Sequence, residues 1–386
     1  VPNFDYSMAP GVKKTYRKRY RINLERAIEL LTDAEDPDAT VKEICEKAEE
    51  AGGEWPTLEN QTPNYKKEEL ALLKEKFEDR VAEKIQRFAF KHAEAETDKA
   101  TFQAMEALIH NLNTMHSRAG AQIPFSSLNY GTDTSPEGRL VMKNLLYATE
   151  RGLGNGETPI FPIQIFKVKE GVNYNPEDKN YDLYKLSMRV SAKRLFPNFS
   201  FIDAPYNLQY YKPGHPETEV AYMGCRTRVM GNVYDPDREI TYGRGNLSFT
   251  SINLPRLAIL SNKNIDFFFE QLDRMCDLVV GQLLERFEIQ CQKLVRNYPF
   301  LMGQGIWLDS DKLTPNDSVR DVLKHGSLTI GFIGLAECLV VLTGKHHGES
   351  ETSQKLGLEI VGYMRKKMNE ATEKYKLNFG VIGTPA

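Results

Sequence analysis

The chain has 386 residues, of which 41% are hydrophobic, so it is long enough to enclose a large core. Its formal net charge is −3, which excludes a chain-wide basic surface of the kind that binds nucleic acid. Length alone indicates two or three domains, although α/β barrels of this size also occur as one unit.

Targeting and metal motifs are absent from the sequence. The longest apolar run, residues 328–342, is too short for a membrane span and contains Glu337. Five cysteines without regular spacing indicate a reducing compartment, so we expect a cytoplasmic protein. No C-x-x-C pair occurs, and we predict no metal site within this segment.

The first 116 residues have a helical pattern. Two helices are predicted within residues 13–51, with a break at 36–38, and a loop rich in glycine and proline follows at 52–63. The charged, alanine-rich residues 66–116 predict two long helices that hinge near 96–98. Such helices suit dimerisation, but a solvated edge of a bundle is an equally good interpretation.

From Ala119 onward, strands and helices alternate. Strands are predicted at 122–125, 160–166 and 199–202, with helices at 136–149 and 182–194 between them. This alternation indicates a largely parallel sheet or a barrel.

The last third of the chain continues this pattern. Residues 265–298 predict one long helix or a pair, 328–342 a strand followed by a helix, and 353–375 the last helix.

Cys225 differs from the other cysteines. It lies in residues 222–228, which have neither helical nor strand periodicity, and Gly224 before it permits a tight turn that presents the sulfur at a loop tip. The other thiols lie in apolar periodic runs, where a cysteine acts as a small hydrophobe: Cys45, Cys276, Cys291 and Cys338. Spacing alone leaves open whether Cys225 is chemical or structural.

Small polar residues surround glycines in four places: residues 115–132, the Cys225 segment, 243–253 and 378–385. Backbone amides beside glycine, together with serine and threonine hydroxyls, suit phosphate oxygens. Each segment is also typical of a simple turn, and none is a Walker or dinucleotide motif.

Together these segments resemble the anaerobic, class III ribonucleoside-triphosphate reductases, which are glycyl radical enzymes. The matching stretches follow the family's order along the chain: residues 1–6 with 9–12, then 116–132, 223–228, 244–249 and 330–335. The resemblance implies a ten-stranded α/β barrel with a central finger loop. It implies that residues 1–117 are the helical effector and dimerisation part and that 118–386 are the remainder of a barrel truncated at both ends.

The resemblance also implies an active site. Cys225 would stand at the tip of the finger loop and, as a thiyl radical, remove the ribose 3′-hydrogen, which requires shielding from water rather than a lowered pKa. Asn246 matches the family's active-site asparagine and resembles the branch that uses formate as reductant. Substrate contacts are expected from Ser126, Ser127, Asn129, Gly383 and Thr384.

Allosteric control is implied as well. The loop that links effector to substrate choice corresponds to Arg118, Ala119, Gly120, Ala121 and Gln122. Effector phosphates are expected near Lys13, Lys14 and Arg17 on the first helix, although a charge run is equally typical of a solvated face.

The family's cofactors and partners follow from the same resemblance. They are a glycyl radical and a structural zinc, both on parts outside this segment, formate, ribonucleoside triphosphate substrates, and ATP or deoxynucleotide effectors. We expect a homodimer and an activating enzyme that uses S-adenosylmethionine, but neither nucleic acid nor membrane.

The segment departs from the family at both ends. A second cysteine is expected upstream of Val1, and the zinc site and glycine loop are expected beyond Ala386, so the segment alone should be inactive. The alternatives are another glycyl radical enzyme, of the formate-lyase or diol dehydratase type, or a non-catalytic fragment that binds nucleotides or dimerises.

Overall fold

The structure is a computed structural model, and it describes residues 1–52, 55–60, 62–115, 123, 125–224 and 227–384. Its contacts divide the chain into two compact units, Val1–Asn207 and Leu208–Ala386. The division into residues 1–117 and 118–386 concerns function, and it stays a prediction. None of the helices within the described ranges is long and apolar enough to cross a membrane.

Helices make up most of the first unit. They are α1 (Phe4–Leu31), α2 (Pro37–Gly52), α3 (Pro63–Lys76), α4 (Asp79–Thr114), α5 (Pro136–Arg151), α6 (Tyr181–Arg194) and α7 (Pro205–Leu208), which ends at the division. Helix α1 packs on α4 and α5. It does so through residues spaced three or four apart, which share one side of a helix: Tyr16, Tyr20, Leu24 and Ile28.

The break between the long helices is not where the sequence placed it. Helix α3 ends at Lys76 and α4 begins at Asp79, whereas residues 96–98 lie inside α4, so the predicted hinge is wrong. Thr97 is fully buried there, and its carbonyl accepts a hydrogen bond from the Thr101 hydroxyl at 2.8 Å. Packing of the buried side outweighs the weak helix propensity of threonine and aspartate.

The first sheet is parallel and has the order β1 (Ser127–Tyr130), β2 (Ile163–Val168), β3 (Asn198–Phe201). One face is aromatic: Phe166 makes edge contacts with Tyr130 and Phe199, at 5.6 and 6.2 Å between ring centroids. This face belongs to the same core as α1, α4 and α5.

Residues of the N-terminal segment cover the other face of this sheet. Lys167 of β2 is completely buried, and its ammonium group donates to the Asn3 side chain. The Asp5 carboxylate accepts three backbone N–H bonds, from residues 131, 132 and 133, at 2.8, 3.1 and 3.1 Å. The charged groups of Lys167 and Asp5 are therefore both satisfied within the first unit, whereas the Ser200 hydroxyl, level with Lys167, is buried without a hydrogen-bond partner.

The second unit contains a hairpin, a parallel sheet and five helices among the described residues. The helices are α8 (Leu254–Ser261), α9 (Ile265–Cys291), α10 (Arg320–Leu323), α11 (Leu335–Thr343) and α12 (Glu351–Tyr375). The strands are β4 (Ala221–Met223), β5 (Thr227–Val229), β6 (Asn246–Asn253), β7 (Ser327–Ile333) and β8 (Asn378–Gly383).

Strands β6, β7 and β8 form the second parallel sheet, in that order. Its apolar face carries Ile252, Leu328, Ile330 and Phe379, which share a core with α9 and α12. Because side chains alternate along a strand, the opposite face carries the residues between them.

Most predicted elements are present, including the helices at α5, α6, α9 and α12 and the strand and helix at β7 and α11. The strand predicted at 122–125 is wrong in its described residues, since β1 begins at Ser127. The α/β class is confirmed by the two parallel sheets. Closure of ten strands into a barrel stays a prediction, because the described ranges contain eight.

Candidate active site

A short hairpin brackets the candidate radical residue. Strands β4 and β5 pair in antiparallel register, with Met223 opposite Thr227, and Gly224 has a φ of 62°, a region that glycine tolerates. Cys225 and Arg226, between the strands, lie outside the described residues. The sequence showed no strand pattern here because three-residue strands are too short to display a period.

The open face of the second sheet carries small and polar residues along β7, whereas β6 adds the exposed Phe249, level with Thr329. Ser327, Thr329 and Gly331 alternate along β7 on this face. The register of β8 adds Asn378, Gly380 and Ile382. Such a face leaves room beside the backbone.

A cavity of about 300 Å³ lies over the start of this face. Its wall contains Thr227 of β5, Ser327 and Thr329 of β7, and Gly245, the residue before Asn246. No carboxylate lines it among the described residues, whereas three arginines do: Arg228, Arg244 and Arg365. The cavity wall therefore suits an anionic ligand.

Asn246 occupies the first position of β6, level with Ser327 of β7, where a bulge interrupts the register. It is half-buried, and its side-chain oxygen accepts a hydrogen bond from the Ser248 backbone N–H at 3.2 Å. No hydrogen bond to its amide NH₂ group occurs among the described residues, so that group is available to a ligand.

A second polar group lies where the strands end. The hydroxyls of Ser251 and Thr384 are 2.7 Å apart, and the Thr384 N–H donates to the Phe332 carbonyl at 3.0 Å. A Cβ atom on Gly331 would lie 2.2 Å from the Thr384 hydroxyl and 2.6 Å from that of Ser251, so glycine makes this approach possible. Gly383 points to the other face, towards Phe332.

This second group lies near the starts of α8 and α11, which begin directly after β6 and β7. Helix N-termini present unpaired N–H groups and attract anions. About five residues of β7 separate the level of Asn246 from the level of Thr384, which corresponds to roughly 17 Å.

Arg244 fixes the segment before Asn246. It donates to three carbonyl oxygens, those of His325 at 2.8 Å, Ile240 at 2.9 Å and Gly231 at 2.7 Å. Burial lowers the pKa of Arg244 to about 10, although Glu239 and Asp235 oppose the shift. Its contacts with the backbone indicate that Arg244 is structural, even though it lines the cavity.

The predicted substrate residues of the first unit lie at β1. The Ser126 carbonyl accepts the Ile163 N–H at 2.9 Å, and the Ser126 hydroxyl is buried without a hydrogen-bond partner. The Ser127 carbonyl accepts the Val1 amino group at 2.6 Å, and the fully buried Asn129 donates its N–H to the Val1 carbonyl at 2.9 Å. These bonds form a parallel bridge between Val1 and the centre of β1.

The predicted effector residues lie on α1. Lys13 and Lys14 are exposed, whereas the Arg17 guanidinium lies 5.5 Å from the centre of the Trp55 ring. Its Nε atom is buried without a hydrogen-bond partner. The predicted specificity loop, Arg118–Gln122, lies outside the described residues.

One cluster has the composition of a metal site. Ligand atoms of Asp235, Asp309 and His325 lie within 4.8 Å of one another. The Arg238 guanidinium, however, donates to both carboxylates, at 2.7 Å to Asp235 and 2.5 Å to Asp309, and the Lys312 ammonium lies 2.7 Å from Asp309. Two side-chain cations already compensate this cluster, so the residues do not fit a metal ion.

The remaining cysteines are confirmed as core residues. Cys45, Cys276, Cys291 and Cys338 are all free and buried. Burial raises their pKa values, to about 12 for Cys276 and Cys338 and about 11 for the other two.

Sequence reasoning named the segments that contain Arg228, Ser251 and Gly331 but gave none of these residues a role of its own. A signal existed for the face itself: Ser327, Thr329 and Gly331 recur every second residue in an otherwise apolar run. The segment 243–253, which is also typical of a turn, is instead strand β6 from Asn246 onward. The meeting of Ser251 with Thr384 joins residues 133 positions apart and has no local signal.

The whole chain, residues 1–386, matches the family model described as anaerobic ribonucleoside-triphosphate reductase. Proteins of that name from Haemophilus influenzae and Enterobacteria phage T4 are 30% and 31% identical to it, over 76% and 77% of this chain. The aligned parts are 41% and 47% of those proteins, so the chain spans less than half of their lengths.

Solved structures agree on the fold. An anaerobic ribonucleotide reductase from Thermotoga maritima with citrate in the active site has a TM-score of 0.54 at 13% identity, covering 98% of this chain and 74% of its own. A second anaerobic ribonucleotide reductase has a TM-score of 0.55 at 12% identity, covering 98% and 64%. The Thermotoga maritima enzyme with dATP bound in the specificity site gives 0.50 at 12% identity, covering 97% and 68%.

Proposed function

Because the chain belongs to the anaerobic ribonucleoside-triphosphate reductase family, we propose that it forms the central part of an enzyme that reduces ribonucleoside triphosphates to 2′-deoxyribonucleoside triphosphates. One observation carries the proposal. The hairpin that brackets Cys225 and Gly245, the residue before Asn246, line one cavity, whose wall has three arginines and, among described residues, no carboxylate.

The proposed chemistry belongs to Cys225. As a thiyl radical its sulfur would take the 3′-hydrogen atom of the ribose, so that an S–H bond forms, a C–H bond breaks and the unpaired electron moves to C3′. This transfer needs no ionised thiol, only close approach and exclusion of water. A glycyl radical outside this segment would generate the thiyl, and the protein supplies position and shielding.

The substrate would extend along the open face of the second sheet. The ribose would lie near Asn246, whose amide NH₂ group can donate to a ribose oxygen or to formate. The triphosphate would reach the Ser251 and Thr384 hydroxyls beside Gly331 and the starts of α8 and α11. Ser126, Ser127 and Asn129 remain proposed contacts from the first unit, and Gly383 a backbone contact.

Replacing the candidate thiol tests this function in the full-length, activated protein. Cys225→Ser should abolish deoxynucleotide formation, since an O–H bond is too strong for the hydroxyl to serve as the radical carrier. Binding of CTP and the thermal midpoint should be unchanged. Cys276→Ser, in the core of α9, is the control: it should lower stability and keep turnover. Deoxynucleotide formation by the Cys225→Ser protein would exclude the radical role.

Effector binding is a separate proposal. We place a deoxynucleotide effector such as dATP near Lys13 and Lys14 of α1, with Arg118–Gln122 as the loop that reports to the substrate, in a homodimer served by a radical activating enzyme. The exposed ammonium groups support phosphate binding. A cytoplasmic location belongs to the same proposal.

The two lysines can be tested by equilibrium dialysis with dATP. Lys13→Ala with Lys14→Ala should raise the dissociation constant about tenfold, because each exposed charge contributes up to about 1 kcal/mol. Lys67→Ala on α3, also exposed, is the matched control and should leave it unchanged. Equal affinities for dATP in the unsubstituted protein, the double lysine variant and Lys67→Ala would show that Lys13 and Lys14 do not bind the effector.

A further inference from the structure

One buried histidine lies between the candidate active site and a second cavity. His325 lines both the 300 Å³ cavity and a neighbouring one of about 380 Å³, and it is 2% exposed. It directly precedes Gly326 and β7. The proposed reaction gives it no role.

Its imidazole has an assigned partner at each nitrogen. Nε2 lies 3.0 Å from the Asp309 carboxylate and Nδ1 lies 3.0 Å from the Asn232 amide nitrogen. The Asn232 side-chain oxygen accepts from the Asn378 amide at 3.1 Å, so the Asn232 NH₂ group faces the ring. The ring is therefore neutral, with its proton on Nε2 donated to Asp309 and Nδ1 accepting from Asn232.

This arrangement continues to the strands on both sides. The Asn378 side-chain oxygen accepts the Val233 N–H at 2.8 Å, at the first position of β8. The His325 carbonyl accepts from Arg244, which also holds Gly231. Asp309 is held in turn by Arg238 and Lys312. His325 thus connects two segments: its ring contacts Asn232, in the segment after β5, and its carbonyl contacts Arg244, which precedes Asn246.

We propose that His325 is a positioning residue, which holds the segment after β5 and the residues before β6 in a fixed relation, so that Thr227, close to Cys225 in the sequence, and Gly245, next to Asn246, line the same cavity. The expected effect of His325 on turnover rests on the proposed function. The expected effect of His325 on the local order of the two segments rests on the hydrogen bonds alone.

Two substitutions separate the two sides of the ring. His325→Asn places an amide oxygen near the position of Nδ1, so it keeps an acceptor for Asn232 and loses Asp309. His325→Gln places an amide NH₂ group near Nε2, so it keeps a donor for Asp309 and loses Asn232. His346→Gln, in a surface turn beside Glu349, is the matched control.

In the full-length, activated protein, His325→Gln should lower kcat about tenfold or more, because small misplacement of reacting groups is costly. The KM for CTP should change less than about twofold, since a positioning loss acts on the reacting geometry rather than on binding. His325→Asn should retain most of the turnover. Asn232→Ala should match His325→Gln, and the double variant should be no worse than either, because both break the same link.

Hydrogen exchange supplies a readout without turnover. Backbone amides of residues 231–233 and 245–248 should exchange about tenfold or more faster in His325→Gln than in the unsubstituted protein, with the His325→Asn protein in between. If the unsubstituted protein makes no deoxynucleotide, the proposed function fails and the exchange comparison alone decides the role of His325. Equal turnover and exchange in the His325→Gln and His346→Gln proteins, or additive losses in the double variant, would overturn the positioning role.

Discussion

The two parallel sheets of this chain share a strand arrangement and differ in what lies on their second face. In the first sheet that face holds Lys167 of β2, and the residues Asn3 and Asp5 close over it with hydrogen bonds. In the second sheet the corresponding face is lined by Ser327, Thr329 and Gly331 and adjoins a cavity. A parallel sheet usually carries apolar residues on both faces, so a polar face beside a cavity points to function.

Breaking the closed face should have the largest effect. Asp5→Ala removes the acceptor shared by the N–H groups of residues 131–133 and by that of Tyr6, at 3.1 Å. Urea denaturation should show a loss of about 3–5 kcal/mol, the range for removing one partner of a buried charged network. Asp5→Asn keeps one acceptor oxygen and should lose clearly less. Equal and small losses of unfolding free energy in Asp5→Ala and Asp5→Asn would mean that the Asp5 carboxylate does not stabilise this face.

Filling the open face should have a smaller effect on stability and a specific effect on binding. The methyl group of Gly331→Ala would meet the Thr384 and Ser251 hydroxyls, so we expect about 1–3 kcal/mol of destabilisation. Binding of triphosphate should weaken as well. Gly380→Ala, on the same face with no atom within 4 Å of the added Cβ, is the control and should change stability by less than about 0.5 kcal/mol.

The free energy of unfolding should depend on pH through His325, which lies between the two cavities. Burial lowers the pKa of His325, and the positive charges of Arg238 and Arg244 lower it further. The Asp309 carboxylate raises this pKa by a smaller amount, because Arg238 and Lys312 already compensate its charge. Asp235 belongs to the same cluster. The unfolded state then binds more protons than the folded state below about pH 6.5, so the free energy of unfolding should fall as the pH falls through that range.

The free energy of unfolding should change by up to about 1.4 kcal/mol for each unit by which the His325 pKa differs between the folded and unfolded states. Urea titrations between about pH 7.5 and pH 5 should show the decline in the unsubstituted chain. The chain with His325→Asn has no titrating group at this position and should show a smaller slope. An unchanged slope would assign the decline to other groups.

Sequence alone predicted the elements whose signal is local, and it failed where the structure depends on contacts between distant residues. Helical periodicity located α5, α6 and α12 because their apolar residues recur every three to four positions. The α3–α4 break was misplaced because the burial of Thr97 against other elements is invisible in local propensity. The strands β4 and β5 were missed because three residues show no period.

The candidate site was anticipated only where it lies in one segment. Asn246 and Thr384 were identified through a family resemblance, yet their positions at opposite ends of one sheet face follow from the register of β6, β7 and β8. The link from Asp309 through His325 and Asn232 to Asn378 joins four separate segments. No pattern in the sequence predicts such a connection, because each residue is ordinary in its own neighbourhood.

The four buried cysteines have a practical consequence for studying the fifth. Their sulfur atoms are enclosed in helix cores, and their raised pKa values leave almost no thiolate at neutral pH. In a protein limited to these 386 residues, we therefore expect an alkylating reagent to react slowly with the four buried thiols, so that fast labelling reports Cys225. A single label per chain, lost on addition of nucleotide, would show that the nucleotide protects this cysteine, and the measurement does not require the proposed radical.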